Sequence, residues 1–280
     1  MRLRRSLERL LRTLFLLAVA IVVMTPLYSL LLASLRPSRD LLRFGITLQA
    51  LVPKNLDLGN FIYLFTGERV WYGYWFKNSV YITALQTVVS CFLSSLVAYG
   101  LSVYRFKGRR TALGAVLFLL MVPLQILILP LYKLMIGMHL MNTVAGVILP
   151  FAVSPFAIFF FYQYLRGVSR DFIDAGRVDG VGEFGIFMRI IMPIMKPALG
   201  AMVIFQSLQA WNSYLWPLIV LRDNLKFTIP IGLNSLLTPY GNNYDVLISG
   251  AVLATVPIII VFVFFQKYFI AGLSAGGVKG

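Results

Sequence analysis

Cut at its charged residues, the chain falls into six long apolar windows, 13–35, 78–104, 111–132, 134–165, 197–221 and 246–266. They are 23, 27, 22, 32, 25 and 21 residues long. About 20 apolar residues at roughly 1.5 Å rise per residue cross a bilayer core, so each window predicts one spanning helix. The predicted spans run over about 13–35, 79–103, 112–132, 142–165, 197–221 and 247–266 of a single transmembrane domain, residues 1–280. A seventh window, 227–244, holds Pro230, Gly232, Asn234, Pro239, Gly241, Asn242 and Asn243 and reads as a loop. The expected fold class is therefore an all-α integral membrane protein with six transmembrane helices. Pro26 should kink the first span, and Pro123, Pro130, Pro150 and Pro155 predict bent or broken third and fourth spans.

Polar interruptions carry the rest of the pattern. Residues 36–78 form an extracytoplasmic segment that ends in the aromatic run Val70-Trp71-Tyr72-Gly73-Tyr74-Trp75-Phe76. Such a run is either an interfacial belt or a partner-docking surface. Residues 166–196 form a cytoplasmic loop in which Asp171, Asp174, Asp179 and Glu183 gather four of the chain's ten acidic residues. Ser169 is suited to cap a short helix, Asp171 to sit in its first turn, and Gly180 to end it with positive φ. Phe172, Ile173 and Ala175 offer apolar surface there, and Asp174 and Arg177 offer charge. A second helix from about Glu183 to Ile191 should return to the membrane and stop before Pro193. A helix–glycine–helix knob of this kind fits a groove in a partner, or is an ordinary amphipathic connector. The fifth span concentrates Gln206, Ser207, Gln209, Trp211, Asn212, Ser213, Tyr214 and Trp216. Amides and hydroxyls in a membrane bind other helices or a polar solute, and aromatic faces beside amides suit a sugar. Trp216 and Pro217 also read as belt residues near the outer end.

Composition narrows the function. The chain is 59% hydrophobic and only 12% charged, outside the range of soluble domains. With the N-terminus inside, Arg and Lys number sixteen inside against nine outside, six of the latter in 36–78, which favours both termini in the cytoplasm. The net charge of +15 flanks the spans and meets anionic headgroups, so it calls for membrane lipid and no nucleic acid. Cys91 and His139 are the only residues of their kinds, which excludes an internal disulfide and a cysteine-based metal site. The apolar windows contain no Asp, Glu, Lys or Arg, which argues against a proton-coupled carrier or a voltage-gated channel. Gly272 to Gly277 approaches a phosphate loop, but Val278 stands where Lys is required. The triplet Gly180, Gly182 and Gly185 matches a dinucleotide fingerprint only formally, because it lacks a βαβ unit. No catalytic residue, metal site or cofactor site is expected in this chain.

Several stretches resemble the carbohydrate-importer permeases similar to the second membrane subunit of the maltose transporter. These are Ser34-Leu35-Arg36-Pro37, Trp75-Phe76-Lys77-Asn78-Ser79, Ala98-Tyr99-Gly100, Arg105-Phe106-Lys107-Gly108-Arg109 and Leu129-Pro130-Leu131-Tyr132. To them are added Asp174-Ala175-Gly176 with Asp179-Gly180, the later Ile190-Ile191-Met192-Pro193, and the ending from Gln266-Lys267-Tyr268 to Gly280. The loop resembles the family's "EAA" loop, with Asp174-Ala175-Gly176 in place of Glu-Ala-Ala, Val168-Ser169 in place of Ile-Pro, and Met192 in place of Leu.

The resemblance implies the type I ABC importer permease fold with a cytoplasmic coupling helix, in a bacterial inner membrane. It implies a heterodimer with a second homologous permease, two ATPase subunits carrying ATP and Mg, and an extracytoplasmic sugar-binding protein. It also implies alternating access, in which ATP closes the ATPase dimer and the pore turns outward. The residues it assigns to ATPase coupling are Asp171, Phe172, Ile173, Asp174, Ala175, Gly176, Arg177, Asp179, Gly180 and Pro193. Those assigned to the substrate path are Gln206, Gln209, Trp211, Asn212, Ser213 and Tyr214. The expected cargo is a di- or oligosaccharide, maltose-like or arabinose-containing, with a monosaccharide or polyol as the alternative. A stand-alone carrier or channel, and a membrane-bound enzyme, fit the residues less well.

Overall fold

Long apolar runs with few breakers fold as helices, and in the computed structural model the chain is helical almost wherever it is described. The structure describes residues 2–36, 56–67, 70–238, 241–242 and 244–277. The helices are α1 (Arg2–Ser34), α2 (Gly59–Thr66), α3 (Tyr72–Val103), α4 (Arg109–Leu120), α5 (Leu124–Gly137), α6 (Val144–Ile148) and α7 (Pro155–Leu165). They continue with α8 (Asp171–Val178), α9 (Glu183–Ile194), α10 (Lys196–Trp211), α11 (Leu215–Val220), α12 (Ile229–Ser235) and α13 (Tyr244–Gly277). A two-residue antiparallel ladder pairs Leu237–Thr238 with Gly241–Asn242.

Among the described residues, three helices are long and apolar enough to cross a membrane: Glu8–Ser34 within α1, then α3, then Tyr244–Tyr268 within α13. Three further helix pairs are apolar enough only when taken together, each bent at a short break. α4 and α5 meet at 104°, Val144–Phe151 and α7 at 44°, and α9 and α10 at 80°. The breaks follow from local chemistry. Pro123 sits in extended backbone at the head of α5, with no N–H to continue α4. Ser154 caps α7, its hydroxyl accepting from the Ala157 N–H at 3.3 Å, with Pro155 in the first turn.

The structure differs from the sequence reading in several places. The helices overrun the apolar windows, so that Lys77 lies in α3, Lys133 in α5 and Asp245 in α13. Window 227–244 is not all loop: Pro230 fits the first turn of α12, and the Ile229 N–H there donates to the Ser79 hydroxyl at 2.8 Å. The aromatic run that opens α3 is turned largely inward rather than forming a belt, since Tyr72 and Trp75 are buried and only Tyr74 is well exposed among its large rings. Trp216 is likewise an internal anchor, its indole N–H donating to the Gly146 carbonyl at 3.2 Å. The stretch 37–55 of the expected extracytoplasmic segment lies outside the described residues.

The chain forms two units. In the first (residues 1–73 and 232–255), the Ser249 hydroxyl donates to the Ser34 carbonyl and the Tyr72 hydroxyl to the Gly250 carbonyl. The second (residues 74–231 and 256–280) holds two hydrophobic clusters. One gathers Tyr99, Phe161, Ile173, Phe187 and Ile191 beneath the loop that follows α7. The other is built on Met135, Val147, Trp216 and Val220.

Candidate coupling site

The loop after α7 folds into α8, a two-turn helix whose ends are electrostatically matched. Asp171 and Asp174 lie in the first turn and Arg177 in the last, each sign where the helix dipole stabilises it. Ser169 does not cap this helix directly, because it sits one residue ahead of the cap position, Arg170. Its hydroxyl donates to the Asp171 carboxylate at 2.8 Å and accepts from the Asp171 N–H at 3.3 Å. That local turn closes before the helix opens. At the far end Gly180 has φ 73°. The Val181 N–H reaches back to the Gly176 carbonyl and the Gly180 N–H to the Arg177 carbonyl, which satisfies two of the last carbonyls of the helix.

One face of α8 is tied down. Ile173 and Gly176 are buried, and a Cβ added at Gly176 would lie 2.7 Å from Ile190 Cδ1 and 3.1 Å from Ile186 Cγ1. The glycine thus allows α8 to press onto α9, which explains the helix-weakening residue mid-helix. α9 does not stop before Pro193. Residues Phe187–Ile191 widen into a π turn, with the Met192 N–H donating to the Phe187 carbonyl, and the helix runs through Pro193 to Ile194. The wider turn moves the bonding register just ahead of a residue that has no N–H to give.

Glu183 is the hub that joins these pieces. It accepts from Arg177 Nε at 2.8 Å, from the Tyr104 hydroxyl at 2.6 Å and from the Tyr99 hydroxyl at 3.4 Å. Arg177 also donates to Asp174 at 3.2 Å. Burial and the adjoining carboxylate push the Tyr104 phenol well above its ordinary range, which keeps it a donor. The hydrogen bond that Arg177 donates to Glu183 likewise raises the Arg177 pKa. The end of α3, α8 and the start of α9 are thereby clamped by one carboxylate.

The opposite face of α8 is free. Phe172 is 52% exposed and Val178 88%, Ala175 lies between them, and Phe184 at the start of α9 is 62% exposed. Apolar side chains held out in this way, bordered by Asp174, Arg177 and Asp179, form a surface suited to a partner's groove.

The family model for the binding-protein-dependent transport system inner membrane component matches residues 90–274. The chain belongs to this family. It is a transport subunit of the ABC importer kind, not an enzyme, and such permeases work with an ATPase and a binding protein. The permease is 54% identical over 275 residues to the arabinooligosaccharides transport system permease protein AraQ of Bacillus subtilis (strain 168), covering 98% of this chain and 97% of that one. It is 54% identical over 262 residues to the protein of the same name from Halalkalibacterium halodurans, covering 94% and 93%. It is 38% identical over 204 residues to the lactose transport system permease protein LacG of Rhizobium radiobacter, covering 73% and 74%. Its fold matches a chain of a bacterial ABC transporter involved in the import of the acidic polysaccharide alginate, with a TM-score of 0.78 at 22% identity over 94% of this chain and 97% of that one.

In the permease, the sequence-assigned coupling residues Asp171 to Asp179, with Gly180, share α8 and its cap, while Pro193 lies exposed in the other arm, beyond the π turn. Glu183, Tyr99 and Tyr104 were not among them, and a tie across 79 residues leaves no local signal in sequence. The substrate-path residues divide. Gln206 is buried and donates to the Ser90 hydroxyl at 3.3 Å, and Trp211 is buried edge-on to Phe76, so both join α10 to α3. Asn212 is exposed where α10 breaks, its amide turned back to the Leu208 carbonyl at 2.9 Å. Gln209 is also exposed, and Ser213 and Tyr214 are half-buried. Between the two contacts α3 carries Thr83 and Thr87, four residues apart on one face. Both are buried, with hydroxyls that meet no partner among the described residues.

Proposed function

We propose that this chain is one permease of a heterodimeric importer that moves an arabinose-containing or related oligosaccharide by alternating access. α8 would be the element docked by the ATPase. The exposed apolar face of α8, flanked by charge and clamped through Glu183, carries this reading on the structural side. The relatives named for arabinooligosaccharides, 54% identical over nearly the full chain, support the cargo. In this scheme two ATPase subunits bind ATP and Mg, a second homologous permease completes the pore, and an extracytoplasmic binding protein delivers the sugar. Each bent pair counts as one crossing, giving six spans with both termini cytoplasmic. Asp171, Phe172, Asp174, Ala175, Arg177, Asp179 and Gly180 face or shape the ATPase contact. Ile173 and Gly176 seat the helix, and Pro193 fixes the arm behind it. Gln209, Asn212, Ser213 and Tyr214 line the path.

The test is reconstitution with the partner permease, ATPase and binding protein. Asp174→Lys and Gly180→Pro are expected to leave the complex assembled but to abolish sugar-stimulated ATP hydrolysis. Normal stimulation in the assembled variants would remove α8 from the coupling role. Uptake of arabino-oligosaccharides by the wild-type complex, competed by neither maltose nor free arabinose, is the expected cargo result.

A further inference from the structure

Apart from the exposed face of α8, a second feature of this region is unaccounted for by coupling. A cavity of about 250 Å³ opens where α3, α4 and α7 begin or end, beside α8. Arg109, Arg166 and Arg170 line it together with Ser102, and apolar side chains that include the buried Leu165 and Ile191 close it off. A cavity of that volume is roughly 8 Å across if round, within the screening distance of physiological salt, so the three guanidinium charges repel one another across it. Among the described residues, no carboxylate lines the cavity. Three of the loop's acids are committed elsewhere: Asp171 to Ser169, and Asp174 and Glu183 to Arg177. Three basic side chains around a concave, partly apolar hollow without a counter-charge make an anion site, and guanidinium forks match phosphate oxygens in particular.

The position of the cavity names the source. Val103 and Leu165 are the last residues of two candidate membrane segments, and Arg109 is the first of a third. Their common end is the level at which lipid phosphates lie, and basic pockets between spans at that level hold anionic headgroups. We infer that this cavity binds the phosphate group of an anionic phospholipid. Arg109, Arg166 and Arg170 supply the charge and the apolar wall takes the glycerol end. A headgroup seated there would fill the space behind α8 and link the coupling loop to the composition of the leaflet.

The experiment uses the full chain purified with its partner subunits and stripped of lipid in a neutral detergent. Phosphatidylglycerol, phosphatidylcholine or inorganic phosphate is added, and retention is read by native mass spectrometry. Two triple variants carry equal charge loss. One is Arg109→Gln, Arg166→Gln, Arg170→Gln; the other is Arg105→Gln, Lys107→Gln, Arg110→Gln, in the neighbouring basic turn but outside the cavity. The first is expected to lose phosphatidylglycerol affinity by about a hundredfold, from three surface cations of ordinary strength. The second is expected to keep it, and phosphatidylcholine to bind neither. A third variant with lysine at the three cavity positions keeps the charge, guards against a folding artefact, and should recover most of the binding. If inorganic phosphate displaces the lipid and binds equally well, the site still takes phosphate, but from solution. Equal loss in both glutamine triples would reduce the effect to general surface charge and overturn the site. So would unchanged lipid binding accompanied by loss of the ATPase subunit, which would assign the arginines to the protein partner. Neither result bears on whether α8 couples ATP hydrolysis.

Discussion

Gly176 shows how much one missing methyl group decides. In an isolated helix glycine costs about 1 kcal/mol relative to alanine, so a substitution there should help if propensity ruled. Contact rules instead, because a Cβ would enter the van der Waals space of Ile190 and Ile186. Gly176→Val is expected to cost roughly 1–3 kcal/mol of overpacking strain, released by lifting α8 off α9. Hydrogen exchange over 171–191 in the assembled complex reads this directly: faster exchange confined to that stretch is expected, and unchanged protection would show that the contact is soft. Glu183 tests a different kind of residue. Its ion pair with Arg177 is nearly half exposed, and pairs so open to solvent contribute little to stability. Glu183→Gln should therefore leave the thermal midpoint nearly unmoved. It should still lower sugar-stimulated ATP hydrolysis, because the three elements it clamps come loose from one another. Tyr104→Phe, which removes one of the three donors, is expected to give a smaller loss.

At the scale of elements, the apolar windows foretold where helices would stand, and Pro123 and Pro155 where two would break, whereas Pro26 and Pro130 lie inside unbroken helices. Pro123 and Pro155 act through a missing N–H, which is a property of the residue itself and so legible. What the sequence did not disclose are features set by pairing at a distance. Tyr72 and Trp75 look like a belt because aromatic residues at a span's edge usually are. Their polar atoms decide otherwise, the Trp75 indole donating to the Asn224 carbonyl at 3.0 Å and the Tyr72 hydroxyl to Gly250. Trp75→Phe keeps an aromatic ring but removes the donor, while the Asn224 carbonyl retains the Phe227 N–H at 3.4 Å, and is expected to lower stability in detergent by about 0.5–1.5 kcal/mol. An unchanged midpoint would return Trp75 to an interfacial role. Gln206 was read as meeting either another helix or a sugar and donates to Ser90, whereas Thr83 and Thr87, unremarkable in sequence, are with Thr228 the buried hydroxyls left over among the described residues. The candidate coupling helix was legible down to its glycine cap, since its signals are local. Its clamp was not.

For the whole molecule, the described helices hold no cluster of His, Cys, Asp and Glu able to hold a metal, and the ionisable side chains gather near helix ends. Purified alone in liposomes, the chain is expected to move no oligosaccharide down or against a gradient, and addition of the partner permease, the ATPase and the binding protein should restore uptake. Transport by the lone chain would require a different account of its energy source. The π turn in α9 has a consequence for how this fold can vary. A π turn holds one residue more than the α-helix it replaces, and one residue is about 100° of rotation. Phe187–Ile191 therefore works as a phase shifter, setting the azimuth at which everything after it leaves the loop. Deleting Met188 should restore a plain α-helix with no loss of helical content and keep Gln206 facing Ser90, because the lost residue and the lost bulge offset each other. A change that straightened the turn without removing a residue would instead re-aim the arm that follows by about 100°.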